Sequence, residues 1–336
     1  MSSISHNPLP DKPPLGLYGS AILFAAPERW DEACFAAPAL RALRASRPLS
    51  TIGVVCHEDQ VSLWESIAKI DAIISYDRRT KVSALARALV ESNKNWDAAL
   101  LWESNLVSDL CRSLKLKQIL CYKTKPLSKI ATDVIPCIPR VGPTTHRVEH
   151  YLDFLKALHI PCHKPEFFSP CSVRNAASAQ QLLLSPLSDF GASHEWPIAS
   201  WQQLILDWQS AHQTPITLLS LPHREMPREL SQLGCEVIEL RQWSDLWPIL
   251  NDTRLTVAAD SSAAHLSAHM GVPTLTLFGP NDPDWKRPLG KQNRVVRRKV
   301  ECSPCLTPKC ALDLRCQQEL SVATVFAALH DMWQAP

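Results

Sequence analysis

Residues 255–288 have the sequence LTVAADSSAAHLSAHMGVPTLTLFGPNDPDWKRP, and this stretch decides the fold class. Its first apolar run, 255–259, predicts a short buried strand. The run 263–270 predicts a helix, and a glycine directly after it is a typical helix end. A second apolar run, 274–278, predicts another strand, followed by turn residues. The stretch is therefore one strand, helix, strand unit of an α/β protein.

Polar residues stand where the first of these strands meets the helix. Asp260, Ser261 and Ser262 are all good N-cap residues. The free N–H groups and the positive dipole end of such a helix favour an anion such as phosphate, and His265, about one turn further, offers another donor. The alternative is an ordinary capped helix with a buried histidine.

The same alternation of strands and helices extends through the chain and predicts a mostly parallel, doubly wound sheet. Prolines without periodicity at 161–170 predict a linker between two lobes, 15–160 and 171–336, and residues 1–14 predict a loose polar arm. The predicted strands are 17–25, 51–56, 72–76, 97–102, 182–185, 216–219, 236–239, 255–259 and 274–278. The predicted helices are 31–45, 59–68, 82–92, 146–159, 200–211, 227–233, 243–250 and 263–270.

Composition narrows the class of protein. The 336 residues include 35 Lys plus Arg and 33 Asp plus Glu, a net charge of only +2, which gives no general attraction to nucleic acid. No window approaches the roughly 20 apolar residues of a membrane span. The first fourteen residues lack the apolar segment of a signal peptide. We therefore expect a cytoplasmic protein, with peripheral contact to the inner membrane as a further option.

Two local basic runs stand out from this neutral background. Either is suited to phosphates or an anionic membrane surface, although a solvated charged face is the commoner explanation. The first run is Lys115, Lys117, Lys123, Lys125 and Lys129; the second is Lys286, Arg287, Lys291, Arg294, Arg297, Arg298 and Lys299.

Twelve cysteines divide into eight single ones and one cluster. The single ones are expected to be buried thiols. The cluster Cys302, Cys305, Cys310 and Cys316 has a spacing that permits a zinc or iron site, two disulfides, or free thiols.

Several of these segments resemble one known family. DSSAAHLSA (260–268), followed by VPT (272–274) and FGPNDP (278–283), is similar to the signature of glycosyltransferase family 9, the lipopolysaccharide core heptosyltransferases. DEA (31–33), PALRAL (38–43) and HRV (146–148) resemble motifs of the family's first lobe. The cysteine cluster is similar to one in the heptosyltransferase II branch.

The resemblance implies a GT-B fold, with two Rossmann-like lobes around a cleft. It implies inverting transfer of a heptose, or a related sugar, from an ADP-activated donor to a lipopolysaccharide inner-core acceptor, without a metal in the chemistry. Asp31 would be the general base. The implied donor-binding residues are Asp260, Ser261, Ser262, His265, His194 and Ser220, and those for the acceptor or its phosphates are Lys123, Lys125 and Arg287.

Three positions depart from the family pattern. Trp30 replaces the glycine before the aspartate, Ser262 replaces the glycine of D-[ST]-G, and His194 replaces the lysine of K-x-W-P. Lys286 or Arg287 is a candidate to supply the missing positive charge. These departures support a second hypothesis, a catalytically impaired protein that binds a nucleotide sugar or acts as a scaffold.

Overall fold

The apolar runs of the chain form two six-stranded sheets, in which every pairing of neighbouring strands is parallel. The computed structural model describes residues 15–67, 69–92, 94–136, 145–171 and 179–335. The predicted arm 1–14 and Cys137 lie outside these residues. Among the described helices, none is both long enough and apolar enough to cross a bilayer.

The first sheet has the strand order β3-β2-β1-β4-β5-β6. Its strands are β1 (Ala21–Ala25), β2 (Thr51–His57), β3 (Ala72–Tyr76), β4 (Ala98–Leu101), β5 (Gln118–Tyr122) and β6 (Asp133–Ile135). The helices of this lobe are α1 (Trp30–Ser46), α2 (Val61–Glu65), α3 (Val82–Glu91), α4 (Leu106–Ser113) and α5 (Glu149–Lys156).

The second sheet has the order β12-β11-β10-β7-β8-β9, which repeats the topology of the first. Its strands are β7 (Gln181–Ser185), β8 (Ile216–Leu219), β9 (Glu236–Ile238), β10 (Thr253–Ala259), β11 (Thr274–Phe278) and β12 (Arg294–Arg297). Its helices are α6 (Ile198–Ala211), α7 (Arg228–Ser231), α8 (Leu246–Asp252), α9 (Ser262–His269), α10 (Pro283–Lys286), α11 (Arg315–Gln318) and α12 (Val322–Gln334). Two doubly wound lobes of this order confirm the predicted fold class. Ligands of such sheets bind outside the carboxyl ends of the strands.

The structure adds elements that the sequence analysis did not predict. No strand or helix was predicted in the segments that form the strands β5, β6 and β12 and the helices α4, α10, α11 and α12. The second basic run is not a uniform solvated face, since part of it forms the edge strand β12 and Lys286 within it is buried. The short helix predicted at 146–159 begins only at Glu149.

The two lobes share one apolar core. Phe35 and Leu40 of α1 belong to the same buried cluster as Ala263 and Leu266 of α9. Each of these helices begins just after the carboxyl end of a central strand, β1 or β10, so their packing brings both helix starts to the junction of the lobes. Trp196 and Trp201 are fully buried in a separate cluster of the second lobe.

Candidate functional site

Asp31 is fully buried at the second position of α1 and is held by two cations. Its Oδ2 accepts from Nζ of Lys286 at 2.8 Å, and Arg29 donates to Oδ1 at 3.0 Å and to Oδ2 at 3.1 Å. Burial raises the pKa of Asp31, but the nearby charges of Lys286 and Arg29 outweigh burial and hold the pKa well below its usual range. The carboxylate is therefore charged at neutral pH, and its two ion pairs make it a weak base.

Glu32 extends this ion cluster across the junction of the lobes. Its Oε2 accepts from Nε of Arg147 at 2.8 Å and from the hydroxyl of Tyr151 at 2.7 Å. Nζ of Lys286 lies 3.4 Å from its Oε1. The backbone N–H of Arg147 donates to the carbonyl of Trp285 at 2.8 Å, which docks α10 against the first lobe.

Asp260 is the centre of a second buried group, at the carboxyl end of β10. Its Oδ2 lies 2.9 Å from Nδ1 of His194 and accepts from Nδ2 of Asn281 at 2.6 Å. Its Oδ1 is buried without a hydrogen-bond partner among the described residues. That oxygen is a free acceptor, as a ligand hydroxyl requires.

The start of α9 already has an anionic partner. The backbone N–H of Ser262 donates to Oδ1 of Asp189 at 2.8 Å, and its hydroxyl donates to Oδ2 at 2.6 Å. Ser261 is the N-cap residue, but its hydroxyl turns back to the carbonyl of Ala259 at 3.0 Å. Sequence reasoning missed Asp189, although an aspartate four residues after the end of strand β7 is a signal that could have found it.

His265 lies in the first turns of α9 with its ring packed edge-on against Phe35, at 5.0 Å between ring centroids. Neither ring nitrogen has a hydrogen-bond partner within the part of the chain that the structure describes. Burial lowers the pKa of His265 to about 4, so the ring is neutral at pH 7 and offers one N–H donor.

A cavity of about 630 Å³ opens between the lobes beside these residues. Arg78 and His57 line it from the first lobe, and Arg224 and Arg241 line it from the second. Arg29 and Asp189 also line it, and they are the residues that contact Asp31 and Ser262. Asp31 and Ser262 therefore lie directly behind the cavity wall.

The remaining predicted site residues lie elsewhere. Ser220 is buried, and its hydroxyl accepts from the backbone N–H of Leu240 at 3.1 Å. The side chains of Lys123, Lys125 and Arg287 are exposed and, although all three are described residues, they do not line the cavity. Their roles in binding remain predictions.

Comparison with known proteins finds one family that is similar to part of the chain. Residues 166–315 match the model of glycosyltransferase family 9 (heptosyltransferase). The chain is 25% identical over 193 residues to a lipooligosaccharide heptosyltransferase 2 of Campylobacter jejuni subsp. jejuni serotype O:2, a match that covers 52% of this chain and 60% of the relative. The second half of the chain is therefore similar to glycosyltransferase family 9. The matched residues of the family model include Asp189, His194 and Asp260, whereas Asp31 precedes them.

Solved structures show the fold of the chain. An E. coli ADP-heptose lipopolysaccharide heptosyltransferase II superposes with a TM-score of 0.73 at 16% identity, covering 93% of this chain and 98% of that one. E. coli heptosyltransferase WaaC with ADP superposes with a TM-score of 0.68 at 17% identity, covering 93% and 99%. The chain therefore has the GT-B fold of these proteins.

The departures from the family 9 pattern have structural explanations. Trp30 packs against Trp243 of the second lobe, with 6.2 Å between ring centroids. His194 is buried against Asp260 rather than free to neutralise phosphate. Lys286, which is 7% exposed, places a positive charge beside Asp31 and Glu32, and its role in replacing the missing lysine stays a prediction.

Whether the cysteine cluster holds a metal stays a prediction. All four cysteines are free thiols, and no three His, Cys, Asp or Glu residues in the described ranges are arranged to ligate one ion. Sγ of Cys305 instead pairs with the hydroxyl of Thr307 at 3.1 Å, and Sγ of Cys310 accepts from the N–H of Leu312 at 3.3 Å. Cys316 is buried in α11, and no step of the chemistry below depends on the four thiols.

Proposed function

We propose that this protein is an inverting heptosyltransferase that moves a heptose, or a related sugar, from an ADP-activated donor to a lipopolysaccharide inner-core acceptor. The observation that carries the proposal is the meeting of Asp31, Lys286, Asp260 and His265 where α1 and α9 pack together on a GT-B fold. The E. coli relative with bound ADP, and the family match of the second lobe, support an adenine nucleotide as the donor.

In the proposed transfer, Asp31 takes the proton of an acceptor hydroxyl. The oxygen forms a bond to the anomeric carbon from one face while the bond to the diphosphate breaks on the other, so the sugar inverts and ADP leaves with the electron pair. Asp31 must first lose its contacts with Lys286 and Arg29, because a paired carboxylate is a poor base. Movement of Lys286 toward the diphosphate would remove one of these contacts and place a cation near the leaving group.

The donor would be held by groups that lack protein partners among the described residues. Oδ1 of Asp260 is placed to accept from a sugar hydroxyl, and the neutral ring of His265 to donate to the diphosphate. In this proposal Lys286 and the positive end of α9, rather than a divalent cation, stabilise the leaving group. We further propose that the exposed Lys123 and Lys125 meet anionic groups of an acceptor at the membrane surface on the cytoplasmic side.

Substitution Asp31→Asn tests the catalytic role. It keeps the size of the side chain but removes the base, so we expect transfer from ADP-heptose to fall by about 10² to 10⁴. Affinity for ADP, measured by calorimetry, should stay within about threefold, and the control Asp109→Asn on the exposed face of α4 should transfer normally. Turnover close to wild type in Asp31→Asn would rule out Asp31 as the base.

One observation favours a second candidate function, a nucleotide-sugar-binding protein with impaired catalysis. Asp31 is fully buried and doubly ion-paired, and the start of α9 is occupied by Asp189. Calorimetry with ADP-heptose, followed by chromatography for released ADP, separates the two candidates. Binding with transfer supports the enzyme, and binding without transfer or hydrolysis supports the second candidate.

A further inference from the structure

Asp189 makes a bidentate contact with the start of α9. One carboxylate oxygen accepts from the backbone N–H of Ser262 at 2.8 Å and the other from its hydroxyl at 2.6 Å. A phosphate bound at the N-terminus of a helix uses the same kind of donor. The carboxylate therefore occupies the position that the proposed donor diphosphate needs.

The two anions exclude each other for two reasons. The N–H of Ser262 points at one acceptor at a time, and a second negative charge beside Asp189 would be repelled by its carboxylate. Asp189 also lines the cavity between the lobes, so an entering ligand meets this carboxylate before it reaches α9.

The residues on either side of Asp189 hold it in place. The hydroxyl of Ser188 donates to the carbonyl of Asp260 at 2.6 Å. The ring of Phe190 lies 4.9 Å from the guanidinium of Arg29 and 6.0 Å from Nζ of Lys286. Segment 188–190 thus contacts both the acidic residue at the end of β10 and the cations that hold Asp31.

Buried polar atoms near the start of α9 provide an independent indication of a ligand. Oδ1 of Asp260 and both ring nitrogens of His265 have no hydrogen-bond partner in the described part of the chain, and both residues are at most 2% exposed. The ring of His265 is 6.3 Å from that of Phe190 and is close enough to Asp31, Asp260 and Lys286 for their charges to act on it. Unsatisfied groups this deeply buried are costly unless a ligand satisfies them.

We propose that Asp189 occupies the donor-phosphate subsite, and that it must leave Ser262 before the diphosphate of a nucleotide sugar binds. Asp189 is thus the residue that sets donor affinity in this chain. The proposal rests on the proposed function for the identity of the donor, and on the geometry of α9 for the site itself.

Calorimetric titration with inorganic pyrophosphate and with ADP tests the proposal. Substitution Asp189→Ala frees the N–H of Ser262 and removes the competing charge, so we expect binding of both ligands to tighten by about tenfold or more. Asp189→Asn, which retains the side-chain volume without the charge, should tighten binding less and serves if Asp189→Ala does not fold. The matched control is Asp59→Ala, which removes another carboxylate from the cavity lining but does not touch α9.

The outcomes separate this proposal from the proposed function. Unchanged or weaker pyrophosphate binding in folded Asp189→Ala would overturn the role of Asp189, and so would equal tightening in Asp59→Ala. If pyrophosphate binds more tightly while ADP does not, the subsite assignment stands and the ADP-activated donor is wrong. Tighter binding of both ligands supports the two proposals together.

Discussion

At the scale of one residue, His265 shows how burial changes the pKa of a histidine. It is 2% exposed, and burial lowers its pKa to about 4 although Asp31 and Asp260 act in the opposite direction. The folded protein therefore resists protonation of this ring, whereas the unfolded chain accepts the proton near the usual histidine pKa of about 6.5.

This difference predicts a loss of stability in mild acid. Above about pH 6.5 neither the folded nor the unfolded state binds a proton at His265, and below it only the unfolded state does. The free energy of unfolding should therefore fall by about 1.4 kcal/mol for each pH unit of acidification. This fall ends when the pH approaches the pKa of His265 in the folded protein. Asp31 has a lowered pKa and loses its contribution only at more acidic pH. Urea unfolding between pH 7.5 and 4.5 measures the slope.

Two histidine variants show whether the pH dependence of the free energy of unfolding comes from His265. His265→Gln should show a smaller slope than the wild type, while His163→Gln, at a half-exposed side chain, should match the wild type. His269, whose pKa burial lowers to about 3, contributes equally in all three proteins. An unchanged slope in His265→Gln would contradict the assignment.

At the scale of elements, the start of α4 shows why helix ends are encoded locally. Oδ1 of Asn105 accepts from the N–H groups of Val107 at 3.0 Å and Ser108 at 3.3 Å. The hydroxyl of Ser108 accepts from the N–H of Asn105 at 3.1 Å and completes a capping box. These contacts join residues at most three apart, so they direct the chain from β4 into α4 without help from distant parts.

Removal of this cap should destabilise the first lobe. We expect Asn105→Ala to lower the free energy of unfolding by about 1 kcal/mol, because two N–H groups lose their acceptor, while Asn105→Asp should be nearly neutral. Urea unfolding of both variants checks this. Asn251→Ala, at an exposed position of α8, is the control and should differ little from the wild type; a loss as large as that of Asn105→Ala would show that the effect is not specific to the cap.

At the scale of the whole molecule, Lys286 connects the two lobes. It reaches from α10 to both Asp31 and Glu32, which lie about 255 positions earlier in the chain. Together with the shared apolar cluster of α1 and α9, this ion cluster holds the lobes in contact. The same contacts keep the carboxylate of Asp31, the proposed base, paired with Lys286.

Loss of Lys286 should therefore weaken the whole protein. Lys286→Met leaves a buried carboxylate with only Arg29, and we expect the free energy of unfolding to fall by about 3 kcal/mol. Urea unfolding at pH 7.5 measures the loss. Lys291→Met, at an exposed lysine of the same basic run, should leave stability unchanged. Equal stability of the two variants would show that Lys286 does not bind the lobes together.

Much of the fold was predictable because the pattern of apolar residues within a short segment indicates which side chains become buried. The apolar runs at 72–76, 216–219 and 274–278 match β3, β8 and β11 residue for residue. Strand β12 escaped prediction because two of its four residues are arginines, a composition that suggests a solvent-exposed face. Helix α12 was not predicted because it follows the cysteine cluster, the last motif along the chain, although its apolar residues are buried against α6.

The sequence by itself determined the alternation of strands and helices, the polar start of α9 and the resemblance that points to Asp31 and Asp260, since these depend on neighbours within a few residues. Only the tertiary structure decided which charges meet. Asp31 pairs with Lys286, and Asp189 rather than a free helix end faces Ser262. Such pairs join segments dozens to hundreds of residues apart, and their partners are fixed by how the two lobes pack, which no local pattern specifies.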